Sequence, residues 1–266
     1  MALSGTKQLE TFFVTTSSRP SSAFRLWCFP HAGAGASGYY GWGRSPHCQD
    51  FEIAALRLPG RETRFAEEPI TDFRFLVETL GTEIARYYDL HPLHHQYAFF
   101  GHSFGGLLSF EVARWLQAHK KKLPAVIFIS GMEPPPDLDY SNLHTIPTDD
   151  EFLNAVAFKY NGIPAELLAF PEMKEMIAPP LRGDITMYET YQYREAEPLA
   201  IEMIVCGGSE DEGFDQDRGS SWSPHCAKSF SLHMFPGDHF YHLDRSRDLL
   251  LEFIALHLRK YLPDSA

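Results

Sequence analysis

The stretch Gly101-His102-Ser103-Phe104-Gly105 sets a serine between two glycines. The apolar run Tyr97-Ala98-Phe99-Phe100 precedes it and an amphipathic run from Leu107 to Leu116 follows, so the turn joins a strand to a helix. In that context G-x-S-x-G is a nucleophile elbow. The glycines leave room for a tight turn, and a strained serine backbone lifts the hydroxyl clear of the sheet. A serine hydroxyl holds its proton at neutral pH. Acyl transfer therefore needs a histidine to take the proton and a carboxylate to orient that imidazole.

Thirteen histidines compete for the base. An elbow of this type uses the chain order serine, acid, histidine. That order favours His239, in Phe235-Pro236-Gly237-Asp238-His239-Phe240, directly after the last strand-like run. His242 is the nearest rival and is expected to flank the site or pack. His31 is expected to structure its own loop, and His94, His95 and His225 read as surface residues. The acid assigned is Asp211, in Gly207-Gly208-Ser209-Glu210-Asp211-Glu212, just beyond a buried strand. Glu210, Glu212, Asp215 and Asp217 share that acidic loop, and Glu133, after the preceding strand, is a second possibility.

Negative charge develops on the carbonyl oxygen during attack, so two backbone N–H donors should wait for it. One is expected from Phe104, the residue after the nucleophile. The other is expected from Ala32, in the loop Pro30-His31-Ala32-Gly33-Ala34-Gly35-Ala36. Pro30 cannot donate, and small residues let the backbone approach a substrate. A phosphate cradle would need a Gly-Lys-Ser/Thr ending or G-x-G-x-x-G spacing, and the loop has neither.

These residues must be held by a scaffold. Phe24–Phe29, Phe51–Leu56, Val126–Ser130, Met203–Gly208 and Ser231–Phe235 read as further strands, with helices over Asp72–Tyr88 and Asp248–Tyr261. In the first helix Phe75, Leu76, Leu80, Ile84 and Tyr87 are the expected apolar positions. Strands alternating with helices imply a mostly parallel sheet with helices on both faces, and the elbow makes the expected class an α/β-hydrolase fold. About seventy residues after Ser130 break the alternation. They carry Pro134-Pro135-Pro136 and helical stretches near Asp149–Lys159 and Met173–Tyr193. This predicts a Ser/Thr-rich lead-in over 1–22, a core from 23–133 and 197–266, and an inserted helical cap over 134–196. Phe152, Leu153, Phe158, Leu167, Leu168, Phe170 and Met187 in the cap either line an acyl tunnel or pack its helices on the core.

A chain of 266 residues with a net charge of -12 lacks the broad basic surface that nucleic acid requires. Lys120-Lys121-Lys122 is its one basic run and suits the C-terminus of a helix. Cys28, Cys48, Cys206 and Cys226 show no C-x-x-C spacing, which indicates neither a disulfide framework nor a zinc site. No apolar run approaches the roughly 18 residues of a membrane helix. The expectation is a cytoplasmic enzyme, with nothing demanding more than a monomer.

Four stretches then assemble in order: Leu26–Gly35, Leu56-Arg57-Leu58-Pro59-Gly60-Arg61-Glu62, Gly101–Gly106 and Pro236–Phe240. Together they make a chain that resembles the stand-alone type II thioesterases of polyketide and nonribosomal peptide synthesis. That family includes the medium-chain thioesterase associated with animal fatty acid synthase. The resemblance runs from about Phe24 to Tyr261, and the Leu-Pro-Gly-Arg-Glu box separates it from generic lipases and esterases. It implies Ser103 as nucleophile, Asp211 as triad acid, His239 as base, and the amides of Ala32 and Phe104 as oxyanion hole. Phe104 stands where methionine is usual, and Ser209 where an aspartate is often found. The implied reaction is hydrolysis of acyl groups from the phosphopantetheine arm of an acyl or peptidyl carrier protein, without cofactor or metal. A carboxylesterase or lipase acting on free oxygen esters is the alternative. A binding protein of the same fold would usually lack a triad member, whereas this chain keeps all three.

Overall fold

The computed structural model describes residues 11–16, 24–91, 96–138, 140–160 and 162–262. The sequence expectations for His94 and His95, and for most of the N-terminal lead-in, fall outside the described residues. The strands in chain order are β1 (Phe13–Thr15), β2 (Phe24–Phe29), β3 (Glu52–Leu56), β4 (Gln96–His102), β5 (Val126–Ser130), β6 (Glu202–Gly208) and β7 (Phe230–Phe235). They form a sheet in the order β1-β3-β2-β4-β5-β6-β7, in which β1 runs antiparallel to β3 and the other pairings are parallel. Strand β1, short and at the edge, lies in the segment read as lead-in. Three residues carry too little alternation to mark a strand in sequence.

The helices are α1 (Phe73–Leu90), α2 (Phe104–Ala118), α3 (Asp149–Tyr160), α4 (Ala165–Leu168), α5 (Pro171–Thr190), α6 (Gln216–Ser220) and α7 (Arg247–Arg259). None among the described residues is long and apolar enough to cross a membrane. Alternation along β2 divides the core. Trp27 and Phe29 join the cluster with α1 and α2, while Phe24, Leu26 and Cys28 join the opposite cluster with α7. Asp72 starts α1 by accepting the Phe75 N–H at 3.0 Å. The buried face of α1 is Phe73, Leu76, Leu80 and Ile84, but Phe75 is 55% exposed and Tyr87 only partly buried. Phe73, Leu80 and Ile84 fall within one arc around Leu76 at 3.6 residues per turn, and Phe75 falls outside it.

The topology sets the site. Phe29 at the end of β2 pairs with Gly101 near the end of β4, although β3 and α1 intervene in sequence. The chain reverses its direction across the sheet at this point, and such a switch opens a crevice beyond the strand ends. The loop after β2 and the elbow after β4 therefore emerge side by side. His102 pairs with Ser130, Ser130 with Cys206, and Gly208 with Phe235, so the loops after β5, β6 and β7 open on the same edge. Between β5 and β6, α3, α4 and α5 fold around an apolar cluster of their own that includes Leu143, Phe152, Leu153, Val156, Leu181 and Ile185.

Candidate active site

Ser103 sits between β4 and α2 with φ 53° and ψ -124°. A non-glycine residue in that region carries about 1–3 kcal/mol of strain, which the packed surroundings hold. The elbow glycines explain themselves sterically. A Cβ on Gly101 would overlap the Gly105 carbonyl, and one on Gly105 would overlap the Phe29 carbonyl of β2. The Ser103 N–H donates to the Ser130 carbonyl at 2.8 Å, continuing the sheet one step past β4.

His239 and Asp211 arrive from adjacent loops. The Ser209 N–H donates to the Phe235 carbonyl at 2.7 Å and the Glu210 N–H to the Gly237 carbonyl at 2.8 Å, which ties the loop after β6 to the loop after β7. Nδ1 of His239 then donates to Oδ2 of Asp211 at 2.7 Å. Asp211 is only 4% exposed in its side chain, and its Oδ1 accepts the Gly213 N–H at 2.9 Å. With Nδ1 engaged, Nε2 of His239 is the nitrogen left to accept a proton. The His239 ring lies 4.9 Å from that of His102, the residue before Ser103.

The rival acids go elsewhere. Glu133 faces the cleft but pairs with Arg218 at 3.8 Å, and Glu210 pairs with Arg245 at 3.2 Å. Asp215 caps α6 by accepting the Arg218 N–H at 2.9 Å. The rival histidines pack: His242 is buried with its ring 3.7 Å from that of His102, and His31 lies edge-on to Phe240 at 5.1 Å. Burial, then the positive charge His239 and Arg61 can bring, lowers His31 to about 4. Burial likewise pushes His102 and His242 well below the ordinary histidine value. His225 is not the surface residue expected from sequence. It is half-buried, 5.7 Å from the rings of both Phe110 and Trp222.

A buried serine–histidine pair lies under the elbow. Ser130 Oγ is 2.8 Å from Nδ1 of His102 and 2.7 Å from the hydroxyl of Tyr241. All three residues are buried. The pair braces β4 against β5 and does not face the cleft, so it supports the turn from within. Sequence reasoning missed it because the serine and histidine are adjacent only through strand pairing.

The cleft has a volume of about 730 Å³, and Ser103, Asp211 and His239 all line it, as do Ala32 and Phe104. Neither the Ala32 nor the Phe104 N–H is taken up by a protein acceptor among the described residues. The Phe104 amide lies in the first turn of α2, where no intrahelical acceptor exists. The apolar residues between β5 and β6 divide between the two sequence alternatives. Phe158 and Leu167 line the cleft, whereas Phe152 and Leu153 belong to the apolar cluster among α3, α4 and α5, Leu168 packs on that cluster, and Met187 joins the main core. Phe170 is exposed. Ile163, Ile177, Leu181 and Ile185 complete an apolar wall that periodicity did not single out.

The sheet order and the strained turn between β4 and α2 define an α/β-hydrolase. A thioesterase-domain model matches residues 24–257, and the chain belongs to that family as a type II thioesterase, a thioester hydrolase. Gramicidin S biosynthesis protein GrsT of Aneurinibacillus migulanus is 33% identical over 256 residues, 96% of each chain. The medium-chain S-acyl fatty acid synthase thioesterase of Homo sapiens is 28% identical over 249 residues, 91% of this chain and 90% of the relative. Among solved structures, the type II thioesterase BorB from the borrelidin biosynthetic cluster aligns at 30% identity with a TM-score of 0.80, over 93% of this chain and 98% of BorB.

Proposed function

We propose that this thioesterase hydrolyses acyl groups from the phosphopantetheine arm of an acyl or peptidyl carrier protein, with Ser103, His239 and Asp211 as its triad. The observation that carries the reading is the 2.7 Å Asp211–His239 pair on the cleft that also receives the strained Ser103. Ser103 Oγ attacks the thioester carbonyl while His239 Nε2 takes the hydroxyl proton, and the Asp211 carboxylate stabilises the resulting imidazolium. The oxyanion forms against the amides of Ala32 and Phe104. Collapse breaks the C–S bond, and His239 returns its proton to the leaving sulfur, giving a free thiol and an acyl-serine. Water attacks the acyl-serine, losing its proton to His239, and a carboxylic acid leaves as Ser103 is reprotonated.

The carrier-bound substrate is supported by what the relatives are: GrsT is a gramicidin S biosynthesis protein, BorB comes from a borrelidin cluster, and the human relative is a fatty acid synthase thioesterase. The apolar wall of Phe158, Ile163, Leu167 and Ile177 suits an acyl chain. Residues 134–196 act as a lid over the site in this reading, and the core divides around them as 23–133 and 197–266. All the site residues come from one chain, so a monomer suffices.

The test is mass spectrometry of a carrier protein loaded with short, medium and long acyl chains, incubated with wild type and with Ser103→Ala. Loss of the acyl mass with wild type alone is the expected result. Survival of every load with both proteins, alongside cleavage of a simple oxygen ester, overturns the carrier-thioester reading.

A further inference from the structure

The Leu-Pro-Gly-Arg-Glu box holds no triad residue, yet its two charged side chains both reach the loop after β2. Arg61 is 5% exposed and Asp184, on α5, is 1% exposed. Nη1 and Nη2 of Arg61 donate to Oδ2 and Oδ1 of Asp184 at 2.7 and 2.9 Å, a two-pronged pair. Arg61 Nη1 also donates to the Ala34 carbonyl at 2.9 Å, and Asp184 Oδ2 accepts the Gly33 N–H at 2.7 Å. Gly33 has φ +78°, and a Cβ there would stand 3.1 Å from Leu181 Cδ1, one turn before Asp184 on α5. At the far end of the loop, Glu62 Oε1 accepts the Ser37 N–H at 2.8 Å.

A buried ion pair is a weak source of stability, because loss of hydration offsets the attraction. This pair instead supplies direction. The Gly33 N–H belongs to the peptide that joins Ala32 to Gly33, and the Ala34 carbonyl to the peptide that joins Ala34 to Gly35. The Ala32 N–H belongs to the His31–Ala32 peptide, whose carbonyl accepts the Ala34 N–H at 3.1 Å. Holding the Ala32–Gly33 and Ala34–Gly35 peptides therefore steadies the turn that presents this N–H at the cleft. An oxyanion donor is effective only when it is already in place before charge develops.

We infer that Arg61 and Asp184 are positioning residues for the oxyanion hole, and that α5 must be seated on the loop after β2 for hydrolysis to proceed. The inference rests on the reading of Ser103 and the Ala32 amide as catalytic. It makes the segment between β5 and β6 more than a cover for the acyl chain, because one of its side chains completes the arrangement that stabilises the transition state.

The experiment measures kcat and KM of the full chain on an octanoyl thioester of N-acetylcysteamine for wild type, Asp184→Asn, Arg61→Lys and Ser103→Ala. Thermal melts establish which variants fold, and an octyl boronic acid, which forms a tetrahedral adduct at an active serine, reports on the hole directly. Asp184→Asn keeps the side-chain shape but removes the charge that holds Arg61. Arg61→Lys keeps the charge but cannot bond Asp184 in two prongs. The expected result is a kcat at least tenfold lower with KM within threefold of wild type, and a boronate affinity weakened by a similar factor. A smaller fall in kcat, or a loss carried by KM, in either folded variant overturns the inference. Ser103→Ala separates the two levels: residual hydrolysis by that variant overturns the catalytic reading itself, whereas its inactivity beside fully active Asp184→Asn overturns only the positioning role.

Discussion

Oδ2 of Asp211 accepts the Nδ1–H of His239 at 2.7 Å across 28 residues of chain. The pair forms because β6 and β7 are parallel neighbours, with Gly208 opposite Phe235, so the loops that follow them leave the sheet together. Asp211→Asn would preserve the volume and the Gly213 contact but offer an amide to the imidazole and disturb its tautomer. The expected loss is about 10⁴-fold in kcat with little change in melting temperature. Steady-state kinetics on an acyl thioester beside a thermal melt checks both parts.

The two serines, Ser103 and Ser130, predict opposite phenotypes. Ser130→Ala removes the buried hydroxyl that joins His102 to Tyr241 and leaves buried polar atoms without partners, which costs about 1–3 kcal/mol of stability. Its kcat should stay within about tenfold of wild type, while Ser103→Ala should be inactive and as stable as wild type or more so, having shed no buried bond. Denaturant melts and kinetics on the two variants decide which serine is the nucleophile.

The buried imidazoles predict acid sensitivity. His31, His102 and His242 all titrate below the ordinary histidine value in the folded protein, His31 at about 4. Between that pH and the ordinary 6.5, the unfolded chain binds a proton at residue 31 that the folded one refuses, so stability is complete above 6.5 and falls as pH drops toward 4. Each such imidazole contributes a slope of about 1.4 kcal/mol per pH unit within its own window. Urea unfolding at pH 5, 6 and 7 should show the decline, and His31→Asn should make it shallower by one imidazole's share, about 1.4 kcal/mol per pH unit. An equal slope in that variant would contradict the assignment.

Phe158 is 93% exposed yet lines the cleft, which leaves a large apolar face for an acyl chain to cover. Phe158→Ser should leave stability within about 0.5 kcal/mol. It should raise KM for long acyl thioesters more than for short ones, because a longer chain has more apolar surface to bury against the cleft wall. A chain-length series of KM values provides the comparison.

Much of the site could be read from residue order. The elbow is local: five consecutive residues, a strand before and a helix after, carry both the turn and its strain, so Ser103 and the need for Gly101 and Gly105 are visible without coordinates. His239 and Asp211 follow from chain order and from their positions just after buried strands. The packing of histidines around them does not. His102 ends β4, while His31 and His242 come from the loops after β2 and β7, and only the order of the strands in the sheet brings their rings within 3.7 to 6.0 Å.

The apolar wall divides in the same way. Composition marks the segment between β5 and β6 as helical and apolar, but which of Phe152, Phe158, Leu167 and Met187 faces the cleft depends on how the helices roll against one another and the sheet. Phe75 shows the limit at a smaller scale, since a hydrophobic residue inside an amphipathic helix can sit just outside its buried arc.

The sequence by itself determined the alternation of strands and helices, the turn that carries Ser103, and the places of Asp211 and His239 just after buried strands, because each is written in short-range spacing and in chain order. Only the tertiary structure decided that Asp211 rather than Glu133 reaches His239, that Ser130 and His102 brace the elbow, and that Asp184 meets Arg61 across 123 residues. Those contacts depend on strand register and on the seating of one helix against a loop. Both are fixed by burial of the whole core, which no local run of residues encodes.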